Sequence, residues 1–292
     1  MTSPDPLLRL LRPFGRYPER SAVLLDFDGA LAPIVADPDA ARALPEALEA
    51  LHRLVGRIGL VAVVSGRPVE FLRTALPATL VGGGSGGERG PAGAGGVGRP
   101  GGEPVAGAGL LLVGQHGLER MVGGEREVDA RVAPWRDAVA AAARQAETEM
   151  PELVVERKGD IAVNLHWRLV PDRAPAGEAL GRRLAESSGL SAFPMRMGVE
   201  LRPPVPVDKG TVVAELAAGR HAALFAGDDH GDLAGFAALD DLVAAGRLDH
   251  AVRVAVRSGE APPALLEAAD YQVDGPAGLA ALLARIADSV AR

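Results

Sequence analysis

The sequence predicts an α/β fold: a mainly parallel sheet flanked by helices, with a small α+β module inserted into it. Three observations carry this expectation. Short apolar runs alternate with helix-like segments over most of the chain, the rhythm of repeated βα units. Several of those runs end in Gly or a polar residue, as strands do where they open on a ligand crevice. Between residues 118 and 200 the rhythm gives way to helix, hairpin, helix and strand.

The first strand is read in AVLLDFD (22–28), whose unbroken apolar start suits a strand covered on both faces. Pro45–Val55 follows as a helix, LVAVVSG (60–66) as the second strand, and Val69–Leu76 as another helix. The segment 82–109 holds 14 of the chain's 37 glycines. Such a composition cannot bury enough apolar surface to offset its ordering entropy, so a flexible surface loop is expected there. The third strand is LLLVGQHG (110–117). In the inserted module Trp135–Glu149 reads as an amphipathic helix, and LVVERKGDIAVNLHW (153–167) alternates on either side of Gly159 and Asp160, a two-residue hairpin signal. A helix over Gly177–Ser188 and a strand in SAFPMRMGVELRP complete it. The larger domain then resumes with helix Lys209–Ala218, strand AALFAGDD (222–229), helix Leu233–Ala245, strand AVRVAV (251–256) and helix Ala277–Val290.

Composition narrows the functional classes. At 292 residues the chain can bury a large core and form two domains. Aromatic residues make up only 3%, so Leu, Val and Ala must fill that core. A net charge of −7 argues against nucleic acid as a partner, because phosphate backbones select a basic face. The absence of cysteine excludes disulfides, thiolate metal sites and thiol nucleophiles, and suits a reducing cytoplasm. The first twenty residues contain Asp5 and several prolines rather than a long apolar stretch, and no run approaches the ~18 residues of a membrane span. The expectation is a cytoplasmic monomer with no membrane or nucleic-acid partner, acting on a small molecule.

Four segments at strand ends or a helix start carry the chemistry. Asp26 and Asp28 follow the first strand, and Ser65 and Arg67 the second. Lys209 opens a helix, and Asp228, Asp229 and Asp232 follow a later strand. In a parallel sheet all of these strand ends share one edge. The set suits phosphoryl transfer: one carboxylate attacks phosphorus, a second handles the leaving-group proton, and Mg²⁺ accepts clustered oxygen ligands. A Lys and a Ser hydroxyl would hold the phosphate oxygens, where charge stabilisation does most of the work. Taken singly each piece has a plainer reading: an acidic turn, a loop serine, a solvated lysine behind an Asp208 N-cap. All four in order are hard to explain structurally.

The segments DFDGALAPI, SGRP, DKG and GDDHGD resemble the four motifs of the haloacid-dehalogenase-like phosphatase superfamily. GQHGLE (114–119), ERKGDIAVNLHWR (156–168) and GVELRPPVPVDKG (198–210) narrow the resemblance to the trehalose-6-phosphate phosphatase family. It implies a Rossmann-like parallel-sheet core (1–117 and 201–292) with an inserted α+β cap domain (118–200). Asp26 would be the nucleophile that forms an aspartyl-phosphate, and Asp28 would protonate the departing sugar oxygen and then activate water. Mg²⁺ would be held by the Asp26 carboxylate, the Asp28 carbonyl and Asp228, with Asp229 and Asp232 in support. Ser65 and Lys209 would bind phosphate, and Arg67, Glu119, Lys158 and Glu200 would meet the sugar. The reaction implied is hydrolysis of trehalose 6-phosphate, a step of trehalose biosynthesis. His116 and His166 read as structural histidines, and Trp167 as a packing residue.

Two departures from the family pattern stand out. Ala30 replaces the Thr that usually follows DxDG, and in the fourth motif Gly231, Leu233 and Ala234 replace Thr and two acids. Two alternatives therefore stay open: a related phosphatase for another sugar phosphate, and a catalytically weakened regulatory or partner-binding paralogue.

Overall fold

The computed structural model describes residues 6–35, 37–81, 109–122, 124–195, 197–259 and 261–291. The loop expected over 82–109 therefore lies, but for Gly109, outside the described residues. In chain order the larger elements begin with α1 (Pro6–Arg16), β1 (Ser21–Leu25), α2 (Pro45–Leu54), β2 (Leu60–Val64), α3 (Val69–Ala75) and α4 (Ala78–Val81). They continue with β3 (Leu111–Gly114), β4 (Glu119–Val122), β5 (Glu125–Val128), α5 (Arg136–Glu149), β6 (Val154–Lys158), β7 (Ala162–His166) and α6 (Ala174–Ser188). The remainder are β8 (Ser191–Met195), β9 (Gly198–Arg202), α7 (Lys209–Ala217), β10 (Ala222–Gly227), α8 (Leu233–Ala244), β11 (His250–Arg257), α9 (Pro263–Ala268), β12 (Tyr271–Asp274) and α10 (Gly275–Val290).

The chain divides into two compact units. The first, up to Glu127 and from Val207 onward, is built on an eight-stranded sheet ordered β12-β11-β10-β1-β2-β3-β4-β5. Its strands from β12 to β3 are parallel, and β4 pairs antiparallel with β3. From β1 the chain steps outward through β2 and β3, and later returns on the other side through β10, β11 and β12. The switch point thus lies between β1 and β10, where an open α/β sheet forms its ligand crevice.

Alternation along β1 explains the unbroken apolar run. Val23 and Leu25 join Phe14, Leu51, Leu283 and Ile286 on the side of α1, α2 and α10, while Ala22 and Leu24 join Val213, Phe225, Phe236 and Leu239 on the side of α7 and α8. With both faces covered, no polar position is left until the strand ends.

The second unit, Val128–Pro206, is a four-stranded antiparallel sheet, β6-β7-β9-β8, with α5 and α6 on one face. Val163, Leu165, Val199 and Leu201 face Val139, Ala142, Ala146, Leu180 and Leu184, and Trp167 packs among them as expected. The hairpin turn holds three residues rather than two, because Lys158 pairs with Ala162 and Ile161 stays in the turn.

The expected cap limits, 118 and 200, shift to 128 and 206. Gly114 pairs with Glu119, so β4 and β5 extend the first sheet instead of opening the cap. At the other end Leu201 and Arg202 still pair within the cap sheet. Among the described residues no helix is long and apolar enough to cross a membrane.

Candidate active site

Asp26 leaves the end of β1 with its backbone N–H donating to the Ala226 carbonyl (2.9 Å), which fixes it beside the end of β10. The residue is 4% exposed. Its Oδ1 accepts the Phe27 N–H at 2.7 Å, and its Oδ2 lies 2.8 Å from Lys209 Nζ. Lys209 is the first residue of α7, behind an Asp208 N-cap that accepts the Thr211 N–H at 2.8 Å. It is no solvated first-turn lysine. It is buried, donates to Asp232 Oδ1 at 2.7 Å, and stands 3.9 Å from Asp229 Oδ1.

The fourth motif closes on itself. Asp232 Oδ2 accepts the N–H groups of Asp228 (2.9 Å) and Asp229 (3.0 Å), and Asp229 Oδ1 accepts those of Gly231 (2.8 Å) and Asp232 (3.2 Å). This reciprocal cap satisfies the turn without the Thr and acids that the family pattern carries. Ala30 is fully buried and belongs to the apolar cluster. Asp228 lies against Gly29, whose φ of +72° suits glycine and where a Cβ would stand 2.0 Å from Asp228 Oδ2.

Asp26, Asp228 and Asp232 bring carboxylate oxygens within 4.8 Å of one another. Asp232 already spends its oxygens on Lys209 and two backbone N–H groups, and Asp26 spends its own on Lys209 and the Phe27 N–H, which leaves Asp228 the freest donor of the three. Asp229 serves the turn and is largely exposed at its side chain. One ammonium thus faces a group of carboxylates in a buried place. Burial pushes Asp228 up to about 7, with Asp232 and Asp229 adding repulsion. Burial likewise lifts Asp232 to about 6, against the pull of Lys209, and holds Asp26 well above the usual carboxylate range. Burial opposes the charge on Lys209, yet Asp232, Asp26 and Asp229 together outweigh it and keep the ammonium protonated. A purely oxygen donor set with this excess of negative charge fits a hard divalent cation such as Mg²⁺.

Ser65 and Arg67 follow β2, whose Val63 lies opposite Leu25 of β1, so both segments emerge on the same sheet edge. Ser65 is buried and its Oγ accepts the Arg67 N–H at 3.2 Å. Arg67, expected at the sugar face, grips Asp28 at two points, Nε to Oδ2 at 2.7 Å and Nη2 to Oδ1 at 2.9 Å. Glu119, also expected there, is 1% exposed and belongs to the first unit. Its Oε1 accepts the Val69 N–H at 2.8 Å and its Oε2 pairs with Arg126. Glu119 thus ties the start of α3 to Arg126 of β5.

Lys158 and Glu200 lie in the cap unit, 3.5 Å apart, on the sheet face opposite α5 and α6. Sequence reasoning missed their companions. Glu156, Asn164 and Glu200 form one cross-strand row, with His166 two residues along β7. Glu156 Oε2 accepts from Asn164 Nδ2 (2.9 Å) and from His166 Nε2 (3.2 Å). The His166 hydrogen bond, with Asn164 and Lys158 assisting against burial, pulls the Glu156 carboxyl down to about 2. Asn164 Oδ1 and His166 Nδ1 are buried without a hydrogen-bond partner, so His166 is only half satisfied. The signal was present in the period-2 spacing of residues 156 and 158, then 164 and 166, on either side of the turn.

The family model for trehalose-phosphatase matches residues 24–80 and 105–276. A trehalose-phosphate phosphatase of Mycobacterium tuberculosis is 33% identical over 214 residues, covering 71% of this chain and 46% of that protein. An uncharacterized glycosyl hydrolase of the same organism is 32% identical over 224 residues, 72% of this chain and 14% of that protein. The chain thus spans about half of the first relative and a smaller part of the second. The solved C-terminal domain of a Candida albicans trehalose-6-phosphate phosphatase has the same fold, with a TM-score of 0.69 over 97% of this chain and 96% of that one at 20% identity. With most of its length from the first strand to β12 matched by that model, the chain belongs to the trehalose-phosphatase family.

Proposed function

We propose that the protein is a Mg²⁺-dependent phosphatase that hydrolyses trehalose 6-phosphate through an aspartyl-phosphate on Asp26. The observation that carries this reading is the buried Asp26–Lys209–Asp232 cluster, with Asp228 beside it, at the switch point of the parallel sheet. Family membership supports the substrate. The lack of cysteine supports a cytoplasmic setting.

Asp26 attacks phosphorus as the bond from phosphorus to the sugar oxygen breaks, and that oxygen takes the proton of Asp28. Water then gives a proton to Asp28 and its oxygen attacks phosphorus, which releases phosphate and restores the Asp26 carboxylate. Lys209 and the Ser65 hydroxyl hold the non-bridging oxygens, where preorganised donors stabilise developing charge. The Asp26 and Asp228 carboxylates and the Asp28 carbonyl are the groups to hold Mg²⁺, with Asp229 and Asp232 keeping their turn in place. When bound, the ion offsets phosphate charge and orients the ester. In the cap, Lys158, Glu200 and Glu156 recognise sugar hydroxyls, and the unpartnered Asn164 Oδ1 and His166 Nδ1 supply two more acceptors.

The test is phosphate release from trehalose 6-phosphate with and without Mg²⁺, beside glucose 6-phosphate and sucrose 6-phosphate, for wild type and Asp26→Asn. Selective, metal-dependent release that disappears in the variant is the expected result. Release from another sugar phosphate alone overturns the substrate, and no release by a folded protein overturns the activity.

A further inference from the structure

The first sheet carries a construction that the chemistry above does not use. Residues 114–119 are tied to the loop 65–69 at every second residue. His116 N–H donates to the Ser65 carbonyl (3.0 Å), Gln115 N–H to the Arg67 carbonyl (3.0 Å), and Val69 N–H to Glu119 Oε1 (2.8 Å). Gln115 and His116 both sit in the left-handed region, at φ 51° and 56°, although neither is glycine. Two such residues in succession are strained and persist only where the surroundings over-determine them. Gly114 must lack a side chain, since a Cβ would lie 2.7 Å from both the Arg67 carbonyl oxygen and the Val69 nitrogen.

The loop so held carries Arg67. Its guanidinium lies 4.5 Å over the ring of Phe71, which in turn packs edge-on against Phe27, the residue between Asp26 and Asp28. From that seat it meets both oxygens of Asp28. A two-point grip sets the plane of a carboxylate, which a single charge cannot do.

We propose that Arg67 is a positioning residue for Asp28, and that the 114–119 segment, through Glu119, is the brace that aims it. The inference rests on the phosphatase reading. Asp28 must place its proton on one oxygen at the moment that the phosphorus–oxygen bond breaks, and a misplacement of about 1 Å costs on the order of a hundredfold.

The experiment measures kcat/KM for wild type, Arg67→Lys and Glu119→Ala on phenyl phosphate, 4-nitrophenyl phosphate and trehalose 6-phosphate, with Mg²⁺ present and thermal melts to confirm folding. The 4-nitrophenolate leaves without a proton, whereas phenolate and the sugar oxygen need one. Arg67→Lys keeps the charge and loses the two-point grip. The expected result is a loss of about 10–100-fold on phenyl phosphate and trehalose 6-phosphate, but less than about threefold on 4-nitrophenyl phosphate. Glu119→Ala, which touches no substrate, should shift the dependence the same way. In an Asp28→Asn background, Arg67→Lys should add no further loss.

An equal fall across all three esters overturns the proposal and leaves the loop a general support for phosphate binding. A loss confined to trehalose 6-phosphate also overturns it and makes Arg67 a sugar contact. If wild type cleaves none of the three, the phosphatase reading itself fails and takes the proposal with it.

Discussion

Lys209→Met removes the one ammonium that the buried acids share and leaves a side chain of similar length. In the structure that ammonium lies 2.8 Å from Asp26 Oδ2, 2.7 Å from Asp232 Oδ1 and 3.9 Å from Asp229 Oδ1. Removing one partner from a buried ion pair costs roughly 3–5 kcal/mol, because the other charge is left uncompensated. For a protein of this size that lowers the unfolding midpoint by roughly 6–20 °C near neutral pH. The loss should depend on pH in a definite direction. Lys209 has a raised folded-state pKa, so its contribution is complete below the ordinary lysine value and is lost only as pH rises through the folded one. Asp26 and Asp232 have raised folded-state values too, which for an acid means destabilisation that grows as pH rises above about 4. Without Lys209 that penalty is larger, so the gap to wild type should narrow as pH falls from about 7 toward 4, by up to about 1.4 kcal/mol per pH unit for each acid that takes up a proton. Urea unfolding at three pH values, without added metal, measures it. A variant as stable as wild type at neutral pH, or a gap that widens on acidification, would refute the reasoning.

Other perturbations reach the same cluster. Because burial pushes Asp228 up to about 7, cation binding should displace a proton below that value. Mg²⁺ affinity measured by calorimetry should therefore fall about tenfold for each unit below about pH 6 and level off in mild alkali. Gly29→Ala forces a side chain into a φ of +72° and against the Asp228 carboxylate. It should cost roughly 1–3 kcal/mol in unfolding experiments and weaken Mg²⁺ binding further than the strain alone. Asp26→Asn should abolish turnover while keeping the fold, as read by phosphate release and circular dichroism. Glu156→Gln, at the row that includes Asn164 and His166, should raise KM for trehalose 6-phosphate several-fold and leave 4-nitrophenyl phosphate turnover near wild type, because the proposed function assigns that row to the sugar alone.

Much of the core was legible because its signals are local. The apolar run before Asp26 reads as a strand covered on both faces, and strand ends in a parallel sheet share an edge, so Asp26, Ser65 and Asp228 group together from the sequence itself. Asp208 before Lys209 read as an N-cap and is one. The cap's hairpin and its two helices were legible from period, although the turn is a residue longer than its Gly-Asp signal suggested. The strands β4 and β5 were not, because the apolar alternation of ERMV and EREV is short and interrupted, and only pairing with β3 commits them to the first sheet.

The site residues divide along the same line. Residue type and order along the chain determined which groups reach the crevice, since the carboxylates, the lysine and the serine sit where strands end and helices begin. Partner choice was decided only in three dimensions. Arg67 is 39 positions from Asp28, Glu119 is 50 from Val69, and Lys209 is 23 from Asp232. Nothing local says that Arg67 grips Asp28, or that Glu119 divides its oxygens between Val69 and Arg126. Hydrogen bonds and ion pairs act over about 3 Å, so which donor meets which acceptor depends on how the sheet brings separate strand ends together. Sequence supplies the reactive groups, and tertiary packing assigns each one its neighbour.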